Sequence, residues 1–293
     1  MALTFAKPIQ LRERACSSNG MPGELQSPYV NLFVKVTNRC NARCPFCCNG
    51  DALRNQTSFD TGKLFDIIDE LTRRNIRINR VAITGGEPSV VPELVEEILR
   101  LLSRREYAWI HAHLNTNGLL QESRELMQNS RWNSISVSLH HYDTEALQVL
   151  YGLKHKVEMP VFDGIDVSKV NASCNLVKGY IDHPEALQKM MSFALGQGLP
   201  RLGLVGLMPM NDYCREHYVD FSALKLGSIP HLYQTGSKCY GSDCKCANYL
   251  YNENGRVLEV YLRNLMNPCF VASGLMYDGT HLHQGFGKEA IIC

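Results

Sequence analysis

Between residues 32 and 207 the chain repeats one beat, in which a short run rich in branched and aromatic residues ends in a polar turn and an amphipathic stretch follows. The runs are residues 32–36, 81–84, 110–114, 134–139, 171–177 and 202–207. Helical spacing follows in Leu64, Ile67, Ile68 and Leu71 behind a cap at Asp60 or Thr61, and in Leu94, Val95, Ile98, Leu101 and Leu102 behind Pro92. Further helices are expected over 119–127 and from Pro184, whereas the connection 143–169 reads as long and irregular. Six such beats with buried-looking strands imply parallel pairing and right-handed crossovers. The fold class expected is α/β, a partial (β/α)6 barrel. The polar residues gather where the strands end, the face on which barrel folds assemble chemistry.

The first of those ends carries Cys40-Asn41-Ala42-Arg43-Cys44-Pro45-Phe46-Cys47. Three thiolates at this spacing can reach three corners of a cubane iron–sulfur cluster and leave one iron open to a small molecule. A structural zinc site is the alternative, although it prefers paired knuckles and a closed shell of four ligands. Cys48 stands outside the three-cysteine pattern. The chain has 12 cysteines but is neither small nor marked by an apolar run of signal or membrane-span length, so metal binding in a reducing compartment is expected rather than disulfides. A cytoplasmic protein is expected. The net charge of +1 offers no broad electrostatic footprint, so neither nucleic acid nor a membrane is expected as a partner.

The cysteine loop, followed one strand later by Gly85-Gly86-Glu87-Pro88, resembles the radical S-adenosylmethionine (radical SAM) superfamily over residues 31–210. The resemblance implies that Cys40, Cys44 and Cys47 hold a [4Fe–4S] cluster whose open iron takes the amino and carboxylate groups of S-adenosylmethionine (SAM). It implies Phe46 beside the adenine, and it implies Gly85, Gly86 and Glu87 as the segment receiving the methionine ammonium, with the absent side chains allowing close backbone approach. Asn117, Ser136, Ser138 and Asn175 are the corresponding candidates for the ribose or methionine carboxylate. Residues 203–208 partly match a segment that supports adenine through its backbone.

Residues 1–30 read as an irregular leader and 211–293 as a smaller cysteine-rich unit, with a hairpin turned at Asn254-Gly255. This second unit resembles the SPASM and twitch extensions, which implies an auxiliary [4Fe–4S] cluster with four ligands among Cys214, Cys239, Cys244, Cys246 and Cys269; structural zinc stays open there. Cys239, Cys244, Cys246 and Cys269 are taken as the ligand set. Cys214 is left as a thiol that can return a hydrogen atom to a substrate radical.

The activity implied is reductive cleavage of SAM to a 5′-deoxyadenosyl radical, fed by an external one-electron reductant such as flavodoxin or ferredoxin. That radical would take hydrogen from a substrate C–H, giving epimerisation or oxidation of a natural-product peptide or a sugar or aminoglycoside. His140, His141, Tyr142, Tyr151 and His155 are candidates for the substrate pocket. The alternative is a non-catalytic iron–sulfur or zinc scaffold or sensor on the same fold.

Overall fold

A computed structural model of the chain describes residues 4–9, 12–14, 24–49, 58–237, 246–264, 274–285 and 291–293. After a short strand β1 (Arg12–Arg14), six strands lie side by side in chain order. These are β2 (Glu24–Lys35), β3 (Arg77–Thr84), β4 (Ala112–Thr116), β5 (Ser134–Ser138), β6 (Val170–Leu176) and β7 (Arg201–Gly206). Every neighbouring pair among the six is parallel, which makes the α/β core an open partial barrel.

The crossovers carry α1 (Thr61–Arg73), α2 (Pro92–Leu102), α3 (Gln121–Met127), α4 (Thr144–Leu150) and α5 (Pro184–Gly196). Local chemistry starts four of them, α3 having neither a side-chain cap nor a first-turn proline. Asp60 Oδ1 accepts from the Lys63 N–H at 2.8 Å, and Pro92 and Pro184 occupy first-turn positions where no N–H is needed. Asp143 caps α4 through the N–H groups of Glu145 and Ala146, so the connection expected to be irregular opens on a helix. Within the leader, β2 reaches back to Glu24 and pairs with β1.

Strands from the region after residue 211 extend the same sheet at both edges. At one, β10 (Arg256–Arg263) lies parallel to β7 and forms a hairpin with β9 (Ala247–Glu253), which pairs in turn with β8 (Leu232–Ser237). The hairpin turns at Asn254 and Gly255, with φ of 52° and 77°, as the Asn-Gly pair predicts. At the other edge β11 (Gly274–Tyr277) lies parallel to β2 and pairs with β12 (Leu282–Gln284).

Alternate strand residues face the helices or the concave side, and on the concave side Ala82 and His113 are buried as well. Leu32 and Val34, Val81 and Ile83, Ile135 and Val137, and Ala172 and Cys174 are fully buried with the helices in one core. Their neighbours Asn31, Arg80, Asn115, Ser136, Ser138, Asn171, Ser173 and Asn175 share the opposite, concave face by register and are only half-buried. The concave face, the lumen of the barrel, is mostly polar, with Phe33, Ala82 and Val205 among its apolar residues. Among the described residues no helix is long and apolar enough to cross a membrane.

Candidate active site at the cysteine loop

At the C-terminal end of this sheet lies a cavity of about 280 Å³ whose wall includes Cys40, Cys44 and Cys47 together with Gly86, Glu87 and Asn117. The cysteine loop leaves β2 and is held from four directions. Below it, the N–H of Gly86 donates to Thr37 C=O at 2.7 Å and the N–H of Glu87 to Arg39 C=O at 2.8 Å. A Cβ on Gly86 would lie 2.0 Å from Arg39 C=O, and one on Gly85 2.6 Å from Thr37 C=O. The close approach expected at these two glycines is thus made by the chain's own loop, which could not sit there over any side chain.

From the end of α4, Tyr151 C=O accepts the Arg43 N–H at 2.7 Å, and Gly152, at φ 62°, leaves room for Arg43 C=O. Tyr151 is itself fixed by donating its hydroxyl to Ser138 C=O. From beyond β7, the short helix α6 (Asp212–Glu216) is capped by Asn211, whose Oδ1 accepts the Cys214 N–H while its Nδ2 donates to Pro45 C=O at 2.9 Å. Asn117 Nδ2 reaches Asn41 Oδ1 at 2.7 Å, and Asn49 Nδ2 reaches Gly85 C=O at 2.8 Å. The loop residues Asn41 and Asn49, and the clamp residue Asn211, were not singled out in the sequence; Asn211 before a three-residue cap spacing was the available signal.

Glu87 is 1% exposed. Its Oε1 accepts from Ser89 N–H and from the hydroxyls of Ser89 and Thr116, and its Oε2 from Asn117 N–H at 2.7 Å. Burial pushes this carboxyl above its ordinary pKa against those bonds. Glu87 therefore ties the ends of β3 and β4 together while bordering the cavity. The three thiols lie close enough to oppose one another's ionisation. Cys40 is pushed up to about 11, chiefly by burial, and Cys44 is pushed up by burial and then by Cys47 and Cys40. Three thiols that oppose one another's ionisation call for a bound cation before all can be thiolates. Among the described residues no group of three or more His, Cys, Asp or Glu is arranged to hold a single metal ion; a cubane, in contrast, gives each thiolate an iron of its own. The donor set and its spacing fit the cluster.

Phe46, Ser138 and Asn175 also line the cavity, and the Phe46 ring meets His140 edge-on at 4.9 Å. His140 is held neutral by burial, with a pKa near 4, and its Nδ1 accepts the Asn175 N–H. Of the pocket candidates, His140 and Tyr151 border the cavity whereas His141, Tyr142 and His155 do not. Ser136 also lies outside it, in the lumen, 3.5 Å from Asn171 Nδ2. Cys214 is 1% exposed and packs with Phe46 and Leu207; its thiol points to Phe46 C=O at 3.7 Å and does not line the cavity. Cys246 is buried at the start of β9, its sulfur accepting the Asn264 N–H at 3.1 Å. Cys239, Cys244 and Cys269 lie outside the described residues.

The sequence profile of the radical SAM superfamily matches residues 34–166, which contain both the cysteine loop and Gly85-Gly86-Glu87. Residues 34–166 form a radical SAM domain. The family implies a [4Fe–4S] cluster and SAM. A protein named probable GTP 3′,8-cyclase from Methanococcus aeolicus is 24% identical over 207 residues, 67% of this chain and 65% of that one. Another of the same name from Saccharolobus islandicus is 28% identical over 187 residues, 62% of this chain and 58% of that one. The match thus spans less than two thirds of either relative. A radical SAM methyltransferase from Sphaerobacter thermophilus superposes with a TM-score of 0.51 at 16% identity, covering 67% of this chain and 60% of that one. At that identity the likeness bears on the fold alone, and it agrees with the open radical SAM barrel.

Proposed function

We propose that this chain is a radical SAM enzyme that removes hydrogen from a substrate C–H and completes either an epimerisation or an oxidation. The observation that carries this reading is the meeting of three thiols and the Gly86–Glu87 turn around one cavity at the strand C-termini. When bound, the reduced cluster and SAM supply a 5′-deoxyadenosyl radical able to take hydrogen from an unactivated carbon. Cys40, Cys44 and Cys47 would hold the cluster. Gly85, Gly86 and Glu87 would border the methionine end of SAM, Asn117, Ser138 and Asn175 its polar groups, and Phe46 the adenine. The chain's part is to orient these groups and to keep water from the reacting carbon.

An external one-electron reductant, of flavodoxin or ferredoxin type, would feed the cluster. The substrate class proposed is a natural-product peptide or a sugar or aminoglycoside, and the relatives' name adds a nucleotide. Cys246 and the cysteines at 239, 244 and 269 are proposed to hold an auxiliary [4Fe–4S] cluster. In support, Cys246 and Asn264 stand at the end of the β9–β10 hairpin that points the same way as the C-terminus of β7. Donation of hydrogen by Cys214 would require its thiol to turn from Phe46 C=O toward the cavity.

The test is the electron paramagnetic resonance spectrum of the anaerobically reconstituted, dithionite-reduced protein. Adding SAM should shift the g-values of the reduced cluster, and the Cys40→Ala, Cys44→Ala, Cys47→Ala variant should lack that signal. A cluster spectrum indifferent to SAM would refute the reading. With a substrate in hand, turnover in D₂O that leaves deuterium on a product carbon supports a thiol donor, and loss of two hydrogens without deuterium supports oxidation.

A further inference from the structure

The lumen of the barrel holds a cation without a counter-charge among the described residues. Arg80 stands on β3 in register with Asn31 of β2, its guanidinium 5.7 Å from the centroid of the Phe33 ring. Its Nε is buried and unpartnered, and Arg80 makes neither an ion pair nor a hydrogen bond among the described residues. Burial pushes the guanidinium pKa down, and the Tyr29 phenol is the group that opposes this. The adjacent bases offer no charge: His111 and His113 both lie against Ser134 Oγ, at 2.7 and 2.6 Å, and burial, followed by Arg80 itself, holds each below its ordinary pKa.

The other arginines on this face differ. Arg201 donates to Ser168 C=O, and Arg263 donates to Ala247 C=O and Asn248 Oδ1. Three strands from Arg80, Asn171 Oδ1 is a second buried orphan, an acceptor whose own amide nitrogen is 3.5 Å from Ser136 Oγ. A guanidinium whose Nε is buried without a partner and a buried carbonyl without a donor are both costly, and their opposite chemistries demand opposite partners. Arginine's planar fork suits the two oxygens of a carboxylate or phosphate. Strands about 4.8 Å apart put Asn171 roughly 14 Å across the sheet from β3, and its register through Ser136 and Asn115 places it level with Thr84, four residues or about 13 Å beyond Arg80, so the two backbones are roughly 19 Å apart and their side chains, reaching into the lumen, less.

We propose that Arg80 receives an anionic group of the substrate, a carboxylate or a phosphate, and that Asn171 Oδ1 accepts a hydrogen bond from a hydroxyl or amine of the same molecule. This rests on the reading of the lumen as the substrate side of a radical SAM enzyme. It names the substrate's chemistry: an elongated molecule with an anion at one end and a donor at the other, held below the cysteine loop.

The test is thermal melting of the cluster-reconstituted 293-residue chain, titrated separately with inorganic phosphate and with succinate against sodium chloride of matched ionic strength. One of the two should raise the melting temperature saturably, and which one does so separates a phosphate from a carboxylate substrate. In Arg80→Gln the titration midpoint should weaken at least tenfold, while in anion-free buffer this variant should melt no lower than the wild type, since an unpaired charge has been removed. Arg80→Lys, which keeps the charge and loses the fork, should weaken the midpoint as well. An equal anion response in both variants, no response beyond that of chloride, or a marked drop in the melting temperature of Arg80→Gln without anion would overturn the proposal. No turnover is measured, so failure here is distinct from failure of SAM cleavage.

Discussion

Glu87 shows how one buried side chain can serve the fold and the site together. All its bonds are acceptor bonds, and two of the donors are backbone N–H groups that cannot reverse. In Glu87→Gln an amide N–H must face one of these donors, so the variant should lose about 1–3 kcal/mol of unfolding free energy in denaturant titration. An unchanged midpoint would show that the carboxylate is not a structural tie. His113 sets an acid limit on the fold. Burial, then Arg80, holds its folded pKa near 3, below the unfolded value of about 6.5. The unfolded chain thus takes up the proton first, and the stability present above about pH 6.5 is lost as pH falls toward 3, at up to about 1.4 kcal/mol per pH unit. Unfolding of His113→Gln should show a shallower pH dependence over that window.

At the scale of elements, the cysteine loop is a guest of its neighbours: Gly85–Glu87, the end of α4 and the Asn211 cap each hold a different part of its backbone. Gly86→Ala should push the loop off Arg39 C=O, at a cost of about 1–3 kcal/mol. Iron content after reconstitution should fall while the far-ultraviolet circular dichroism of the sheet persists. Asn211→Ala removes the bonds to Pro45 C=O and to the Cys214 N–H, and should cost about 1–2 kcal/mol. Reaction of Cys44 and Cys47 with a thiol reagent in the cluster-free protein should become faster in this variant; an unchanged rate would remove Asn211 from the clamp. The beats and most caps are legible in the sequence because each is local: the aspartate at 60, the prolines at 92 and 184, and the Asn254-Gly255 turn act on their own neighbours, whereas the Asp143 cap falls in a connection that reads as irregular. The clamp was not, because Asn211 and Pro45 meet only after β7 has folded against β2's end of the barrel.

Over the whole molecule, the candidate cluster motif stands within one short stretch of sequence, whereas the lumen could not be read from strand character alone. Ser134-Ile135-Ser136-Val137-Ser138 and Asn171-Ala172-Ser173-Cys174-Asn175 carry the period-two signal of a sheet with one wet face, yet which strands share that face depends on register. The region after residue 211 illustrates the same limit, since its hairpin was evident but its parallel pairing with β7 and β2 spans the whole chain. A chain ended after residue 210 would leave the backbone of β7 unpaired along one edge, and should aggregate on size-exclusion chromatography where the full chain elutes as a compact species. The central claim, that three thiols and a glycine-glycine-glutamate turn build a SAM-cleaving centre, is tested most directly by incubating the anaerobically reconstituted protein with SAM and dithionite and quantifying 5′-deoxyadenosine. The wild type should produce it and the Cys40→Ala, Cys44→Ala, Cys47→Ala variant should not. A cluster-loaded wild type that leaves SAM intact would contradict the account.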